Sequence, residues 1–280
     1  MPRFAVSEFS TLNLGFDEDL AAYAAGGAEG IGLAEAKLPE GEDAESLGKL
    51  RESGLTVTIC LPTLLSVLPM PPFPGPEDPE VRVESLCASV RRLAAFDPVT
   101  LLVLTGPAGD RDPEEARKIA LEGLREVART AREVGVPIAL EPIHASARDD
   151  FTIVDTIPDA VVLAEEVGEP LGILFDTWHL WDTPDVLDHV RSEAHRFPAV
   201  HINDWRAETR GWDDRAVPGE GVMDLPAIFG ALEDGGFDGW FELEVFSAET
   251  YPDSLLRLDP AELVRRGKAG FESAWAARRG

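Results

Sequence analysis

Short apolar runs alternate with stretches of helical period along nearly the whole 280-residue chain. Phe4 to Val6 reads as a first strand. Asp17 to Ala25 reads as a helix, with Asp17 as its N-cap and Gly26-Gly27 as its stop. Gly30 to Leu33 is a second strand, followed by Glu35. Asp43 to Ser53 is a helix with an acidic first turn, closed by Gly54. Leu55 to Cys60 is a third strand, rich in β-branched residues. Glu80 to Phe96 and Pro113 to Val134 are helices on either side of a fourth strand, Thr100 to Thr105. Pro137 to Leu140 is a fifth strand leading into Glu141, and Ile157 to Val167 its helix. Leu171 to Phe175, apolar throughout, suits a sixth strand buried on both faces and ending on Asp176. Val186 to His195, Ala199 to Ile202, Leu225 to Glu233, Trp240 to Val245 and Ala261 to Arg278 complete the alternation.

The count is eight strands, each followed by a helix. Strict β-α alternation implies a parallel sheet. Eight such units in about 250 residues match a closed α/β barrel, the (β/α)8 or TIM barrel. An open doubly wound sheet is the competing architecture, but no G-x-G-x-x-G follows the first or second strand. No linker divides the chain, so residues 1–280 are expected to form a single domain. One segment breaks the rhythm. Residues 61–79 carry seven prolines, with Leu64, Leu65, Met70 and Phe73 among them, and proline excludes a regular helix. A lid over a pocket and a rigid packed loop are equally good readings.

Composition removes some function classes. Hydrophobic residues make up 44% of the chain, enough for a large core. The net charge is -27, from 52 acidic and 25 basic residues, and such a surface repels phosphate backbones. Neither nucleic acid nor an anionic membrane is an expected partner. Two cysteines, Cys60 and Cys87, read as buried thiols rather than a disulfide framework or a zinc knuckle. The N-terminal M-P-R-F-A-V-S lacks a signal-peptide core, and no apolar run approaches ~18 residues, so a soluble cytoplasmic protein is expected.

In a barrel of this kind the site lies at the C-terminal ends of the strands. The fifth strand ends I-A-L-Glu141-P-I-His144 and the sixth I-L-F-Asp176-T-W-His179. The seventh reads A-V-His201-I-Asn203-D-W and the eighth W-F-Glu242-L-Glu244-V-F. Each residue alone has a bland reading, as a helix cap, a core histidine or half of an ion pair. Four adjacent strand ends together aim three carboxylates and one imidazole at one point. Such a set suits one divalent ion, Mn, Co, Zn or Mg. Glu242 and Glu244 share a face of their strand, and Glu244, nearer the end, is the expected ligand. Glu242 is expected deeper, paired with a cation.

These blocks, with P-G-E-G-V-M-D-L (218–225) and F-D-G-W-F-E-L-E-V-F-S (237–247), resemble those of the xylose isomerase-like barrel superfamily, in the same order. The resemblance runs through most of the chain and is strongest from Ile138 to Ser247. It implies that Glu141, Asp176, His201 and Glu244 hold one divalent metal ion. It places His179 and Arg215 on the substrate, with Arg206 as a substitute for Arg215 and His144 as a further pocket residue. The activity it implies is isomerisation or epimerisation of a ketose or related hydroxyketone. Glu141 and Glu244 would move a proton through an enediolate, with His179 and Arg215 holding the oxygen that gains charge. A keto-sugar or inosose dehydratase or lyase would use the same residues. A metal-dependent endonuclease is disfavoured by the acidity and by only five histidines, and a non-catalytic sugar-binding barrel by the intact set of four. The expected partner is a small-molecule sugar or keto-sugar, with a homo-oligomer left open. Trp178, Trp181 and Trp205, with the 61–79 loop, either shape a pocket that stacks on a sugar face or are ordinary core or interface packing.

Overall fold

The computed structural model describes residues 2–279. Its strands are β1 (Arg3–Ser7), β2 (Gly30–Ala34), β3 (Thr56–Leu61), β4 (Thr100–Val103), β5 (Ile138–Leu140), β6 (Gly172–Ile173), β7 (Phe175–Asp176), β8 (Ala199–Ile202), β9 (Asp204–Trp205), β10 (Arg215–Ala216) and β11 (Trp240–Leu243). Nine of them pair in parallel in the order β6-β5-β4-β3-β2-β1-β11-β8-β7. β6 and β7 are halves of one strand interrupted at Leu174, whose N–H donates to the Leu140 carbonyl at 2.9 Å. The sheet therefore closes on itself as an eight-stranded barrel. β9 and β10 form a separate antiparallel ribbon above its rim.

The helices are α1 (Phe16–Gly26), α2 (Asp43–Ser53), α3 (Pro79–Leu93), α4 (Pro113–Val134), α5 (Arg148–Phe151), α6 (Ile157–Val167), α7 (Thr177–Leu180), α8 (Val186–Glu193), α9 (Leu225–Asp234) and α10 (Pro260–Ala277). α5 and α7 are single-turn insertions after β5 and β7; the other eight are the expected crossovers. Side chains of Asp78, Asp112, Thr156, Asp224 and Asp259 accept the first free N–H groups of α3, α4, α6, α9 and α10. Each cap is followed by proline in the first two helical positions, where a missing N–H costs nothing. Gly54, Gly135 and Gly168 close α2, α4 and α6 in the left-handed conformation that favours glycine. α1 departs from expectation. Its cap is Gly15, and Asp17 lies inside the first turn, because Phe16 continues the buried helical face. The Glu18 carboxylate accepts the Gly15 N–H at 2.9 Å. Among the described residues no helix is long and apolar enough to cross a membrane.

Apolar side chains divide into a shell and a lumen. The larger cluster joins the outward face of the sheet to the helices, through Phe4, Val6, Ile31, Val103, Phe175 and Phe241 among others. A smaller cluster contains Ala5, Ile59, Leu102, Ala139, Leu174, Ala199 and Trp240. Strand alternation puts the residue two positions on from each lumen residue on the same face. From Ala139, Leu174 and Ala199 that step reaches Glu141, Asp176 and His201. From Trp240 it reaches Glu242 and then Glu244. From Ile59 and Leu102 it reaches Leu61 and Leu104. The rim positions of β5, β7, β8 and β11 thus carry ionisable groups, and those of β3 and β4 carry leucine.

Residues 61–79 are a packed loop whose inner edge reaches the rim. Leu65, Val67, Leu68 and Met70 are buried. The N–H groups of Val67 and Leu68 donate to the carbonyls of Leu104 and Thr105, and Arg82 holds the Ser66 carbonyl and hydroxyl. Cys60 and Cys87 are free, buried thiols.

Candidate metal centre

Glu141, Asp176, His201 and Glu244 converge at the C-terminal mouth of the barrel, all buried, and each offers a ligand atom within 4.8 Å of the others. His201 Nδ1 lies 3.1 Å from Glu141 Oε1, 3.5 Å from Glu244 Oε2 and 3.9 Å from Asp176 Oδ2. Donors held about 2.0–2.2 Å from one ion lie roughly 2.8–4.4 Å apart, so these spacings suit ligands of a single centre.

The electrostatics favour a cation as well. Burial pushes the Glu141 carboxyl up to about 7, against the lowering effect of His201. Burial also raises Glu244, against His201 and Arg215. His201 is lowered by burial, yet Glu244, Glu141 and Glu242 bring it well above the ordinary imidazole value. Burial alone would raise Asp176, but Arg215 first, then His179, His201 and Asn203, holds it below the carboxylate range. The buried set carries more negative charge than Arg215 neutralises, and it draws in protons. A divalent ion supplies that charge. The residues present therefore fit such an ion, with oxygen and imidazole donors.

Neighbouring side chains hold the four in place. Asn203 Nδ2 donates to Asp176 Oδ1 at 2.8 Å, and Thr177 donates to Asn203 Oδ1 at 2.8 Å. Asp176 also caps α7 by accepting the Trp178 N–H, so the bland reading of this residue holds beside the other. Ser7 donates to Glu244 Oε1 at 3.3 Å. Glu242 lies deeper than Glu244, and the cation beside it is the His201 imidazolium rather than a lysine or arginine: its Oε1 lies 3.4 Å from His201 Nε2, and it accepts from Thr58 and the Ile59 N–H. The lumen beside β2 has room for it because Gly32, at a register irregularity between β2 and β3, carries no Cβ that would overlap the carboxylate.

Arg215 and His179 sit directly over the four. Arg215 Nη1 donates to Asp176 Oδ2 at 2.8 Å and Glu244 Oε2 at 3.0 Å, and its Nη2 approaches His179 Nε2 at 3.1 Å. Burial depresses the His179 imidazole to about 3, so the ring is neutral. Its Nδ1 lies 3.2 Å from the His144 backbone N–H and its Nε2 faces Arg215, so the neutral ring accepts from one of these two donors and the tautomer decides which. Arg206, the substitute for Arg215, is engaged elsewhere, with Asp214 at 2.9 Å and Asp253 at 3.4 Å.

The His144 side chain lies outside the cavity above the four. Its ring packs on Trp205 and Trp178 and bonds Ser146, and only its backbone reaches the site, through His179. Trp178, Trp181 and Trp205 pack against one another, with Trp178 and Trp205 ring centres 4.4 Å apart, and none of them lines the cavity. The P-G-E-G segment is tied to β9: Asp204 accepts the N–H groups of Gly219, Gly221 and Met223. A Cβ on Gly221 would overlap Asp204 and the Trp205 carbonyl, so this motif is a loop anchor.

Sequence reading missed the aromatic collar. Phe9, Phe73, Phe151, Trp212 and Phe246 come from five separate segments between the barrel strands and their helices and line the cavity above Glu141 and Glu244. Their rings touch in sequence, Phe73 with Phe151 and Trp212, Phe151 with Trp212, Trp212 with Phe246, and Phe246 with Phe9. The only local signal is an aromatic residue two or three places beyond the ends of β1 and β11.

The chain is similar to several proteins of known activity or structure. An inosose isomerase of Bacillus velezensis is 28% identical over 166 residues, 57% of this chain and 56% of that one. A D-psicose 3-epimerase of Enterocloster bolteae is 28% identical over 156 residues, 55% and 46% of the two chains. The chain thus spans about half the length of the first curated relatives it matches. A Sinorhizobium meliloti protein of known structure superimposes with a TM-score of 0.85 at 24% identity, covering 97% and 98% of the two chains. The IolI protein, solved with a bound zinc atom, superimposes at 0.77 and 20% identity, covering 97% of each chain. Both structural matches establish the fold. The xylose isomerase-like TIM barrel profile matches residues 20–271, and the chain belongs to that family.

Proposed function

We propose that this protein is a divalent-metal-dependent isomerase or epimerase that moves a proton next to the carbonyl of a sugar-like hydroxyketone. One observation carries the reading: three carboxylates and an imidazole, from four neighbouring barrel strands, meet within 4.8 Å at the rim. The sugar isomerases and epimerases among the relatives support it. Glu141, Asp176, His201 and Glu244 would hold the ion, as Mn, Co, Mg or Zn. Bound there, the ion polarises a carbonyl and acidifies the adjoining C–H.

The chain's own groups do the rest. Glu141 and Glu244 arrive from β5 and from beyond β11, flanking Asp176 and His201 at the mouth. One carboxylate takes the α-proton as the C–H electron pair moves into the carbonyl. The other, protonated, returns a proton to the opposite face, which inverts the centre. Return to the neighbouring carbon gives an isomer instead. Arg215 and His179 stand side by side at one point. They converge on the substrate oxygen where negative charge gathers. Burial of all four groups keeps water from competing for that charge.

The test is α-proton exchange in deuterated water with the metal-loaded protein. Glu141→Gln or Glu244→Gln should lower exchange by about 10²–10⁴-fold, the usual range for a general acid or base. Exchange at the wild-type rate in both variants overturns the mechanism. An inosose dehydratase is also among the relatives. Loss of water from the product, read as its mass, would assign that chemistry to the same residues.

A further inference from the structure

The candidate centre is shut off from solvent. Glu141, Asp176, His179, His201, Arg215 and Glu244 are each at most 5% exposed. The cavity between these groups and the aromatic collar measures about 40 Å³. That is room for a few water molecules at most, whereas small-molecule sites measure roughly 300–1,000 Å³. Even a small hydroxyketone does not fit, so the cover must move before a substrate reaches Glu141 or Glu244.

Four of the five collar rings sit on fixed supports. Phe9 follows β1 directly, and its N–H donates to Ser7 Oγ at 3.2 Å. Phe246 is buried, and its carbonyl accepts the Arg215 N–H at 3.1 Å. Phe151 is buried at the end of α5. Phe73 belongs to the loop that Val67 and Leu68 tie to the carbonyls of Leu104 and Thr105. Trp212 is different. It is half-buried near the tip of the β9–β10 hairpin, in residues 206–214. Its indole closes the inner cavity, and it also lines an outer hollow of about 300 Å³ beside Leu12, Asn13, Ala248 and Leu256.

The hairpin has a firm base and a lightly held tip. At the base, Asp214 and Arg215 are buried, and Asp214 bridges to Ser247. The tip is tied to the loop after β11. Arg210 Nη1 donates to Asp253 Oδ1 at 2.8 Å, Arg206 Nη1 lies 3.4 Å from Asp253 Oδ2, and the Tyr251 hydroxyl donates to Asp213 at 2.9 Å. Asp253 is half exposed. Ion pairs of that kind contribute little and are screened by salt.

We propose that Trp212 is the gate of this site and that the pairs of Arg206 and Arg210 with Asp253 are its latch. The tip lifts on the fixed base, and the indole swings into the outer hollow. Ion and substrate enter through the space it leaves. Arg215 stays on Asp176 and Glu244 throughout, because it belongs to the base. Closure returns the ring over the cavity and excludes water during proton transfer. The proposal rests on the metal-dependent reading for what passes the gate, and not for the gate itself.

His179 can report the opening, because it lines the closed cavity whereas His195 is exposed. Diethyl pyrocarbonate, which acylates neutral imidazole, is applied to the metal-free full chain, and peptide masses follow both residues. Asp253→Ala leaves the ring in place and frees the tip. It should speed acylation of His179 about two- to tenfold, the reach of two exposed ion pairs, and leave His195 unchanged. Salt at ~1 M should speed it in the parent and add little in Asp253→Ala. Trp212→Ala should speed it about tenfold or more. Thermal melts confirm a folded barrel in each variant. Acylation of His179 at the parent rate in Asp253→Ala overturns the proposal. So does a faster rate in Phe73→Ala with none in Asp253→Ala, which would place the opening at the 61–79 loop. In the manganese-loaded protein, extraction of the ion by EDTA should quicken in Asp253→Ala by the same factor as acylation. Faster acylation with no manganese bound by parent or variants leaves the gate standing and overturns the metal-dependent reading instead.

Discussion

Arg215 and Asp176 form a buried ion pair, Nη1 to Oδ2 at 2.8 Å, between positions 39 residues apart in the chain. The same guanidinium nitrogen reaches Glu244, so one cation holds two of the four converging groups. Removing it would leave two carboxylates buried without their arginine. Arg215→Met should destabilise the metal-free protein by about 3–5 kcal/mol, the cost of breaking a buried pair by deleting one partner. Urea denaturation measures this. Manganese should restore part of the loss, because it replaces the missing charge. A variant as stable as the parent without metal would show that the carboxylates are neutral in the fold.

The ligand set itself is tested by metal content. Elemental analysis should find about one Mn, Co, Zn or Mg per chain, and none in Asp176→Asn. Ligand at 100 times its dissociation constant stabilises a fold by about 2.7 kcal/mol. A chelator should accordingly lower the melting temperature of the parent and leave Asp176→Asn unchanged. Equal metal content in the two proteins would remove Asp176 from the set.

Metal uptake should release protons. Burial raises Glu141 to about 7, and the acidic neighbours of His201 outweigh its burial and raise it well above 6.5, so His201 is protonated and Glu141 partly so in the metal-free protein near neutrality. An ion binds the deprotonated groups. Its affinity must therefore fall as pH drops through and below about 7. Titration of manganese in two buffers of different ionisation enthalpy reads the released protons directly. An observed heat independent of the buffer would contradict the assignment of these two residues.

Glu242 is predicted to act through His201. Its Oε1 stands 3.4 Å from the imidazole Nε2, on the side away from the other carboxylates. Partners of this kind fix the orientation of a ligand histidine and contribute roughly 10–100-fold to metal affinity. Glu242→Gln should weaken manganese binding by that order while the barrel stays folded. Gly32→Ala pushes on the same carboxylate from β2 and should cost about 1–3 kcal/mol, as overpacking does. Unchanged metal affinity in Glu242→Gln would reduce Glu242 to a structural role.

What was legible along the chain was local or periodic. Eight apolar runs, eight helical stretches and the glycine punctuation follow from interactions between residues a few positions apart, and they specify a parallel barrel. Alternation along four strands also placed Glu141, Asp176, His201 and Glu244 at one rim, because a barrel turns strand ends into neighbours. Gly15 rather than Asp17 opens α1, since a buried Phe16 outweighed a good capping side chain. Three features were decided only by the folded chain. Arg215 reaches Asp176 because β9 and β10 pair and carry it over the mouth. The cation beside Glu242 is His201 on the neighbouring strand, with Thr58 across the lumen, and β2 leaves space for the carboxylate at Gly32. The collar gathers Phe9, Phe73, Phe151, Trp212 and Phe246 from loops spread over more than two hundred positions. Local pattern determines which face a side chain takes. Its partner across the barrel depends on closure, on loop paths and on what else must share the buried volume.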